Sequence, residues 1–253
     1  MKRELMEITE HHLVAKDTYR MILKGAMADE AVQPGQFVHI RISSDHYLRR
    51  PVSICDIDPQ NGTMTLLYKV LGKGTEALTE KKAGGQLDVL GPGGKGFPVD
   101  EVECKHALLI GGGIGVPPLY NLARQLRDKD IHVTSILGFQ SLSDAFLIKE
   151  FGALGDVFVT TDDGTLGHQG RVTDLLADLQ GTFDMYFTCG PTVMLKAVSD
   201  ELPDVPGYIS MEERMGCGIG ACFACVVESH DEKGYRRICC DGPVFDSREV
   251  VLK

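Results

Sequence analysis

Hydrophobic and polar residues alternate in short runs from Lys2 to about Leu90, with turn residues between the runs. Residues 36–42 and 63–70 are two such runs, and both are rich in β-branched and aromatic residues. This alternation is typical of strands with one face in a core. Asn61-Gly62, just before the second run, favours a hairpin turn. Several such strands in so short a stretch predict a small antiparallel β-barrel.

The pattern changes after a loop rich in glycine and proline, residues 91–98. Residues 106–110 form a continuous apolar run, as expected of a buried parallel strand. Residues 117–128 then carry apolar side chains at helical spacing. Alternating strands and helices predict a Rossmann-like parallel sheet with helices on both faces. The further elements predicted are strands at 131–137, 156–160 and 184–188 and helices at 144–151, 171–179 and 192–201.

Composition places the chain among ordinary globular proteins. Its 253 residues are 43% hydrophobic and 25% charged, which suits one or two domains with a small extra module. The formal net charge of -10 argues against a nucleic-acid-binding protein. There is no long apolar run, and the N-terminal residues lack the apolar segment of a signal peptide. We therefore expect a cytoplasmic protein that does not enter a membrane.

Cysteines are concentrated near the C-terminus, where Cys217, Cys222 and Cys225 stand in one glycine-rich run and Cys239 and Cys240 follow. In a reducing compartment such clustering indicates metal or redox chemistry. The spacing C-x4-C-x2-C followed by a later cysteine is that of plant-type [2Fe–2S] ferredoxins. A four-cysteine zinc site is the alternative. Either Cys239 or Cys240 can be the fourth ligand by this reasoning.

A glycine-rich turn lies between the first predicted parallel strand and the helix after it. It contains Gly111, Gly112, Gly113 and Gly115. Backbone N–H groups at a helix N-terminus suit a pyrophosphate, and the turn is a variant of the dinucleotide-binding fingerprint. A plain tight turn is the alternative.

Cys189, Gly190 and Pro191 end a later predicted strand and precede a helix. Ligands of open α/β sheets bind beyond the carboxyl ends of the strands. The Cys189 thiol near a nicotinamide ring and a simple strand-to-helix turn both fit this position.

Arg49 and Arg50 stand together at the start of another predicted strand. Paired arginines can neutralise a phosphate, with Ser53 as a hydrogen-bonding partner. Arginines are also common on ordinary protein surfaces, so this signal is weak by itself.

Together these motifs resemble the ferredoxin-NADP reductase superfamily. Arg50-Pro51-Val52-Ser53, Gly72-Lys73-Gly74-Thr75, the glycine-rich turn and Cys189-Gly190-Pro191 occur in that superfamily's order. Residues 212–225 and 239–245 are more specific, and they resemble the electron-transfer subunits of class 1B dihydroorotate dehydrogenases. The resemblance covers essentially the whole chain.

The resemblance implies which residues bind cofactors. It implies NAD(H) at the glycine-rich turn and near Cys189-Gly190-Pro191, and it selects Cys239 as the fourth cluster ligand because the family's last cysteine stands two residues before Asp-Gly-Pro. Residues 138–141, which follow a predicted strand, contain no arginine for a 2′-phosphate, so we expect NAD rather than NADP. The residues implied to hold FAD are Arg50, Pro51, Val52, Ser53, Leu67, Tyr68, Lys69, Gly74 and Thr75.

We therefore expect three modules: an FAD-binding barrel (residues 1–98), an NAD-binding domain (99–208) and a cluster-binding lobe (209–253). The flavin stands between nicotinamide and cluster because it exchanges both hydride and single electrons. No acid or base residue is expected to act in catalysis. No residues remain for a domain that oxidises a substrate, so we expect a partner subunit.

By resemblance, the partner is an FMN-containing dihydroorotate dehydrogenase catalytic subunit, in a heterotetramer with two copies of each chain. Electrons then pass from dihydroorotate through FMN, cluster and FAD to NAD+ in pyrimidine biosynthesis. Two alternatives are a reductase subunit of the sulfide dehydrogenase or hydrogenase diaphorase type and a zinc-stabilised binding module without redox cofactors.

Overall fold

The N-terminal part of the chain forms the antiparallel barrel predicted from the alternating pattern. A computed structural model describes residues 1–30 and 32–253. The barrel core is made of inward-facing aliphatic side chains, among them Met6, Ile8, Leu23 and Ile40, all of them fully buried. The elements are β1 (Lys2–Ala15), β2 (Thr18–Lys24), β3 (Phe37–Arg41), β4 (Arg50–Asp58), β5 (Thr63–Lys69), α1 (Lys73–Thr79) and β6 (Gln86–Gly93), with a 3-10 turn at Ala26–Asp29. The strands close in the order β1-β2-β5-β4-β3-β6.

The middle of the chain forms the predicted sheet with helices on both faces. Its elements are β7 (His106–Gly112), α2 (Pro117–Asp128), β8 (His132–Phe139), α3 (Ile148–Gly152), β9 (Asp156–Thr161), β10 (His168–Gln169), α4 (Leu176–Leu179), β11 (Met185–Cys189), α5 (Thr192–Glu201) and β12 (Gly207–Ser210), with 3-10 turns at Gly113–Gly115, Leu142–Asp144 and Val172–Leu175. Leu119 and Phe151, from α2 and α3, pack in the core on one face. Leu176 and Leu195, from α4 and α5, pack in the core on the other face.

The C-terminal segment is joined to this sheet. Its strands are β13 (Val226–Glu228), β14 (Tyr235–Arg237) and β15 (Val244–Asp246). β13 and β14 form a separate hairpin, whereas β15 pairs antiparallel with β12 and completes the sheet order β10-β9-β8-β7-β11-β12-β15. β12 also spans the expected boundary at 208/209. The module boundaries remain predictions, but the cluster-binding segment is built onto the edge of the sheet.

Packing between barrel and sheet fixes their relative position. Leu67 and Cys55 of the barrel are buried in the same core as α2. Arg124 of α2 forms an ion pair with Asp56 of β4. These contacts hold β4 and β5 of the barrel against α2, which covers one face of the sheet.

Among the residues that the structure describes, no helix has the length and apolar character needed to cross a membrane.

Candidate functional site

A cavity of about 1010 Å³ lies between the barrel and the sheet, large enough for a sizeable cofactor. On the side of the sheet, its walls include Ile114 of the glycine-rich turn and residues 210–215, which begin at the last residue of β12. Gly74 lies next to the barrel side of the cavity, since a Cβ built on it would lie 2.4 Å from Arg50 Nε. The barrel contributes eight of the residues expected to bind FAD: Arg50, Pro51, Val52, Ser53, Leu67, Tyr68, Lys69 and Thr75.

The two neighbouring arginines have different roles. Arg49 donates to the carbonyl oxygen of His39 at 3.2 Å and to the Asp88 carboxylate at 2.8 Å, so it ties β3 to β6. Arg50 donates to the carbonyl oxygen of Leu48 at 2.5 Å, and it has no carboxylate partner among residues 1–30 and 32–253. Of these two arginines, Arg50 is therefore the one that remains available to a phosphate in the cavity.

Thr75 organises the loop that faces Arg50. Its hydroxyl accepts hydrogen bonds from the N–H groups of Leu71 at 2.9 Å and Gly72 at 3.2 Å, and donates to the Gly72 carbonyl oxygen at 3.0 Å. Since no side chain stands at Gly74, the Arg50 guanidinium can lie directly against this loop. The result is a compact loop with the Arg50 guanidinium against it, which suits a pyrophosphate.

Tyr68 and Lys69 line the cavity with polar groups that are already partnered. The Tyr68 hydroxyl lies 2.9 Å from His11 Nε2, and burial raises the pKa of the phenol. Lys69 Nζ donates to Asp144 Oδ1 at 3.0 Å, across the junction with the sheet. These two residues therefore shape the wall of the cavity, and they offer a bound molecule their backbone groups.

The glycine-rich turn and Cys189-Gly190-Pro191 are brought together by strand pairing, because Gly111 of β7 is in register with Cys189 of β11. A Cβ on Gly115 would lie 2.3 Å from the Cys189 carbonyl oxygen, so only glycine fits there. The Cys189 side chain itself is fully buried, and burial raises the pKa of its thiol. The contacts expected between NAD and Gly111, Gly112, Gly113, Gly115, Cys189, Gly190 and Pro191 remain predictions.

The cysteine-rich loop turns its backbone donors toward sulfur atoms. Cys217 Sγ accepts from the N–H groups of Ile219 at 3.5 Å, Ala221 at 3.2 Å and Cys222 at 3.3 Å. Desolvation opposes ionisation of Cys217, but these donors and the Cys222 side chain together outweigh it and lower the pKa of the thiol to about 6. The loop thus stabilises the thiolate, the form that binds iron.

The four predicted ligands form two neighbouring pairs. The Cys217 N–H donates to Cys222 Sγ at 3.3 Å, and the Cys239 N–H donates to Cys225 Sγ at 3.4 Å. The two pairs together supply the four sulfur ligands that a [2Fe–2S] cluster requires.

Cys239 and Cys240 differ in what surrounds them. Cys239 is 2% exposed, and its Sγ accepts from the Gly220 N–H at 3.1 Å. Cys240 is half-buried, and its Sγ packs against Gly220, where a Cβ would lie 2.7 Å from it. The assignment of Cys239 as the fourth ligand, which the resemblance implied, remains a prediction.

Three cavity or junction residues were not singled out by the sequence. Tyr47 and Glu212 line the cavity. The Glu212 side chain opens onto the cavity, but the surrounding protein desolvates its carboxyl group and raises its pKa. His39 is fully buried, with neither ring nitrogen hydrogen-bonded within the described part of the chain. The His39 ring packs against Gly218 of the cysteine-rich loop. Buried polar atoms normally have hydrogen-bond partners, so these two nitrogens fit a site that is completed by bound cofactors. Only the position of Glu212 beside the cysteine motif gave any signal in the sequence.

Two family models match the two ends of the chain. Residues 5–97 match the oxidoreductase FAD-binding domain, and residues 212–251 match the iron–sulfur cluster binding domain of dihydroorotate dehydrogenase B. The first match covers the barrel and the second covers all four predicted cluster ligands.

Among solved structures, one from a study of flavin-based electron bifurcation by an NADH-dependent reduced ferredoxin-NADP oxidoreductase is 32% identical. It has a TM-score of 0.88, with 98% of this chain and 90% of the other covered. The cytochrome b5 reductase domain of Ulva prolifera nitrate reductase has a TM-score of 0.65 at 18% identity, with 80% of this chain and 92% of the other covered. The second likeness supports the fold alone.

Curated relatives match over the full length. The dihydroorotate dehydrogenase B (NAD(+)) electron transfer subunit of Geobacillus sp. (strain WCH70) is 49% identical, and all of both chains is covered. The subunit of the same name from Bacillus caldolyticus is 48% identical over 99% of each chain. The chain described here belongs to the family of dihydroorotate dehydrogenase B electron transfer subunits.

Proposed function

We propose that this chain carries electrons between a catalytic subunit that oxidises dihydroorotate to orotate and NAD+, as part of pyrimidine biosynthesis. One observation carries the proposal. Residues 210–215 form a wall of the flavin cavity, and the first cluster ligand, Cys217, follows two residues later. The same short segment therefore contributes to both redox sites.

The chain's own residues bind and orient the cofactors. When bound, FAD exchanges a hydride with nicotinamide and single electrons with a [2Fe–2S] cluster. Arg50 and the loop ordered by Thr75 hold negative charge at one end of the cavity. The glycine-rich turn reaches the cavity through Ile114, so a nucleotide on this turn lies next to the flavin site. Hydride exchange needs no acid or base side chain.

Several points favour this function over the alternatives. The full-length relatives bear the name of the NAD(+) enzyme, which agrees with the absence of arginine from residues 138–141. Those names do not favour a sulfide dehydrogenase or hydrogenase diaphorase subunit. The match of residues 212–251 to an iron–sulfur domain, with sulfurs in two pairs, does not favour a zinc-stabilised binding module.

An exposed apolar surface next to the cluster loop supports a partner subunit. Ile219 is 57% exposed, Phe223 52%, Val226 39% and Tyr235 37%. Apolar side chains grouped around a redox site favour a protein contact. We infer that this surface docks an FMN-containing catalytic subunit, in a heterotetramer with two copies of each chain. We place the assembly in the cytoplasm, where thiols stay reduced.

Replacing Arg50 with glutamine is expected to weaken FAD binding about 10- to 100-fold, because a charge-assisted hydrogen bond contributes about 1.5–3 kcal/mol. Fluorescence titration of the flavin-free protein with FAD measures this change. Arg41→Gln is the matched control, since Arg41 is an exposed arginine at the end of β3 that does not line the cavity. Equal affinities for the two variants would contradict the role given to Arg50.

Removing the Cys239 thiol is expected to abolish the cluster and leave FAD bound. Cys239→Ala should contain little iron or acid-labile sulfide, whereas Cys240→Ala should contain as much as the unmodified protein. Iron, sulfide and flavin assays on the purified proteins decide between them. A full cluster in Cys239→Ala would refute the ligand assignment.

Ile219→Asp is expected to prevent co-purification with the catalytic subunit, because a charge is placed in an apolar contact. Leu13→Asp is the control, since Leu13 is also 57% exposed but lies on β1 of the barrel. Both variants should keep FAD and cluster, as iron and flavin assays will show. Normal assembly of the Ile219→Asp protein would argue against this docking surface.

A further inference from the structure

The side chain of Arg237, on β14, reaches the cysteine-rich loop. Its Nη1 donates to the Gly220 carbonyl oxygen at 2.8 Å. On its other side, Nε donates to Asp241 Oδ2 at 3.0 Å, and the Arg237 backbone N–H donates to the same oxygen at 2.9 Å. The guanidinium is thus held in place between a carboxylate and the loop.

The carbonyl that Arg237 contacts belongs to the peptide unit whose N–H faces a predicted cluster ligand. That unit joins Gly220 to Ala221, and the Ala221 N–H donates to Cys217 Sγ at 3.2 Å. A charged donor on the oxygen draws electron density away from the N–H, which strengthens the hydrogen bond that the N–H donates. Arg237, one peptide unit and Cys217 therefore form a continuous chain of hydrogen bonds.

The packing around Gly220 makes this chain possible. Gly220 has a φ of +79°, and a Cβ there would lie 3.3 Å from Arg237 Nη1 and 2.7 Å from Cys240 Sγ. On another side, the guanidinium carbon lies 5.4 Å from the centroid of the Phe223 ring. A residue with a side chain at 220 would push the guanidinium or Cys240 away from the loop.

We propose that Arg237 is a positioning residue that raises the reduction potential of the cluster by polarising the Gly220–Ala221 peptide toward Cys217. Reduction adds one electron, and therefore negative charge, to the cluster and its sulfur ligands. Hydrogen bonds to these sulfurs stabilise the reduced form and are among the factors that set the potential of such clusters. The inference rests on the proposed function, since it assumes that the four cysteines hold a [2Fe–2S] cluster.

A neighbouring arginine separates this effect from that of charge alone. Arg236 is the neighbouring residue in the same strand, but it pairs with Asp231 of the hairpin and with Glu249, which follows β15, and it makes no hydrogen bond to the loop. Removing either arginine changes the net charge equally, and only removal of Arg237 breaks the chain to Cys217.

The test is a redox titration of the cluster, followed by electron paramagnetic resonance, in the protein purified with both cofactors. In Arg237→Leu we expect the ratio of reduced to oxidised cluster at a fixed potential to fall about tenfold, which is about 59 mV for a one-electron couple. Arg236→Leu should match the unmodified protein. Arg237→Lys, which keeps the charge and a donor, should recover most of the shift.

An unchanged potential in Arg237→Leu would overturn the inference, as would an equal shift in Arg236→Leu or a failure of Arg237→Lys to recover. If Arg237→Leu retains too little iron to titrate, Arg237→Gln takes its place in the same comparison. Failure of the premise that the four cysteines hold a cluster is distinguishable, because the unmodified protein would then contain no iron or acid-labile sulfide.

Discussion

The structure depends on one constraint: electrons pass only between cofactors held close together. Residues 210–217 satisfy this constraint because one continuous stretch of backbone contributes to both cofactor sites. The stretch leaves the sheet at the end of β12, forms a wall of the flavin cavity with residues 210–215 and reaches the first predicted cluster ligand at Cys217. Because β15 pairs with β12, the segment after the cluster ligands returns to the same sheet edge. Both ends of the cluster-binding region are thereby tied to the nucleotide-binding sheet.

Backbone groups supply much of the electrostatics at these sites. The cysteine-rich loop stabilises the Cys217 thiolate with three backbone N–H donors. No additional charged side chain is needed for this in the confined space of the loop. Glycine is required where backbones approach closely, as at Gly115 against Cys189. Charged side chains then act at selected points: Arg50 faces the cavity, and Arg237 acts on the loop through a peptide. This division leaves room for large cofactors without burying unpaired charges.

Local patterns predicted much of this molecule. Alternation predicted the barrel, buried runs and helical spacing predicted the sheet, and cysteine spacing located the cluster loop. The remaining features depend on contacts between segments that are distant in the sequence. Arg49 and Arg50 are indistinguishable as neighbours in sequence, and they differ only because Asp88 of β6 lies within reach of one of them. The places of β15, His39 and Arg237 likewise depend on contacts between distant segments, which no local pattern encodes.

If the flavin of this chain connects NAD(H) to the cluster, rapid mixing with NADH under anaerobic conditions will show it. The protein is prepared with its cluster, with and without FAD, and cluster reduction is followed by electron paramagnetic resonance after freeze-quenching. We expect rapid reduction in the FAD-containing protein, none in the flavin-free protein, and recovery when FAD is restored. Reduction of the cluster by NADH at the same rate without FAD would contradict this role of the flavin.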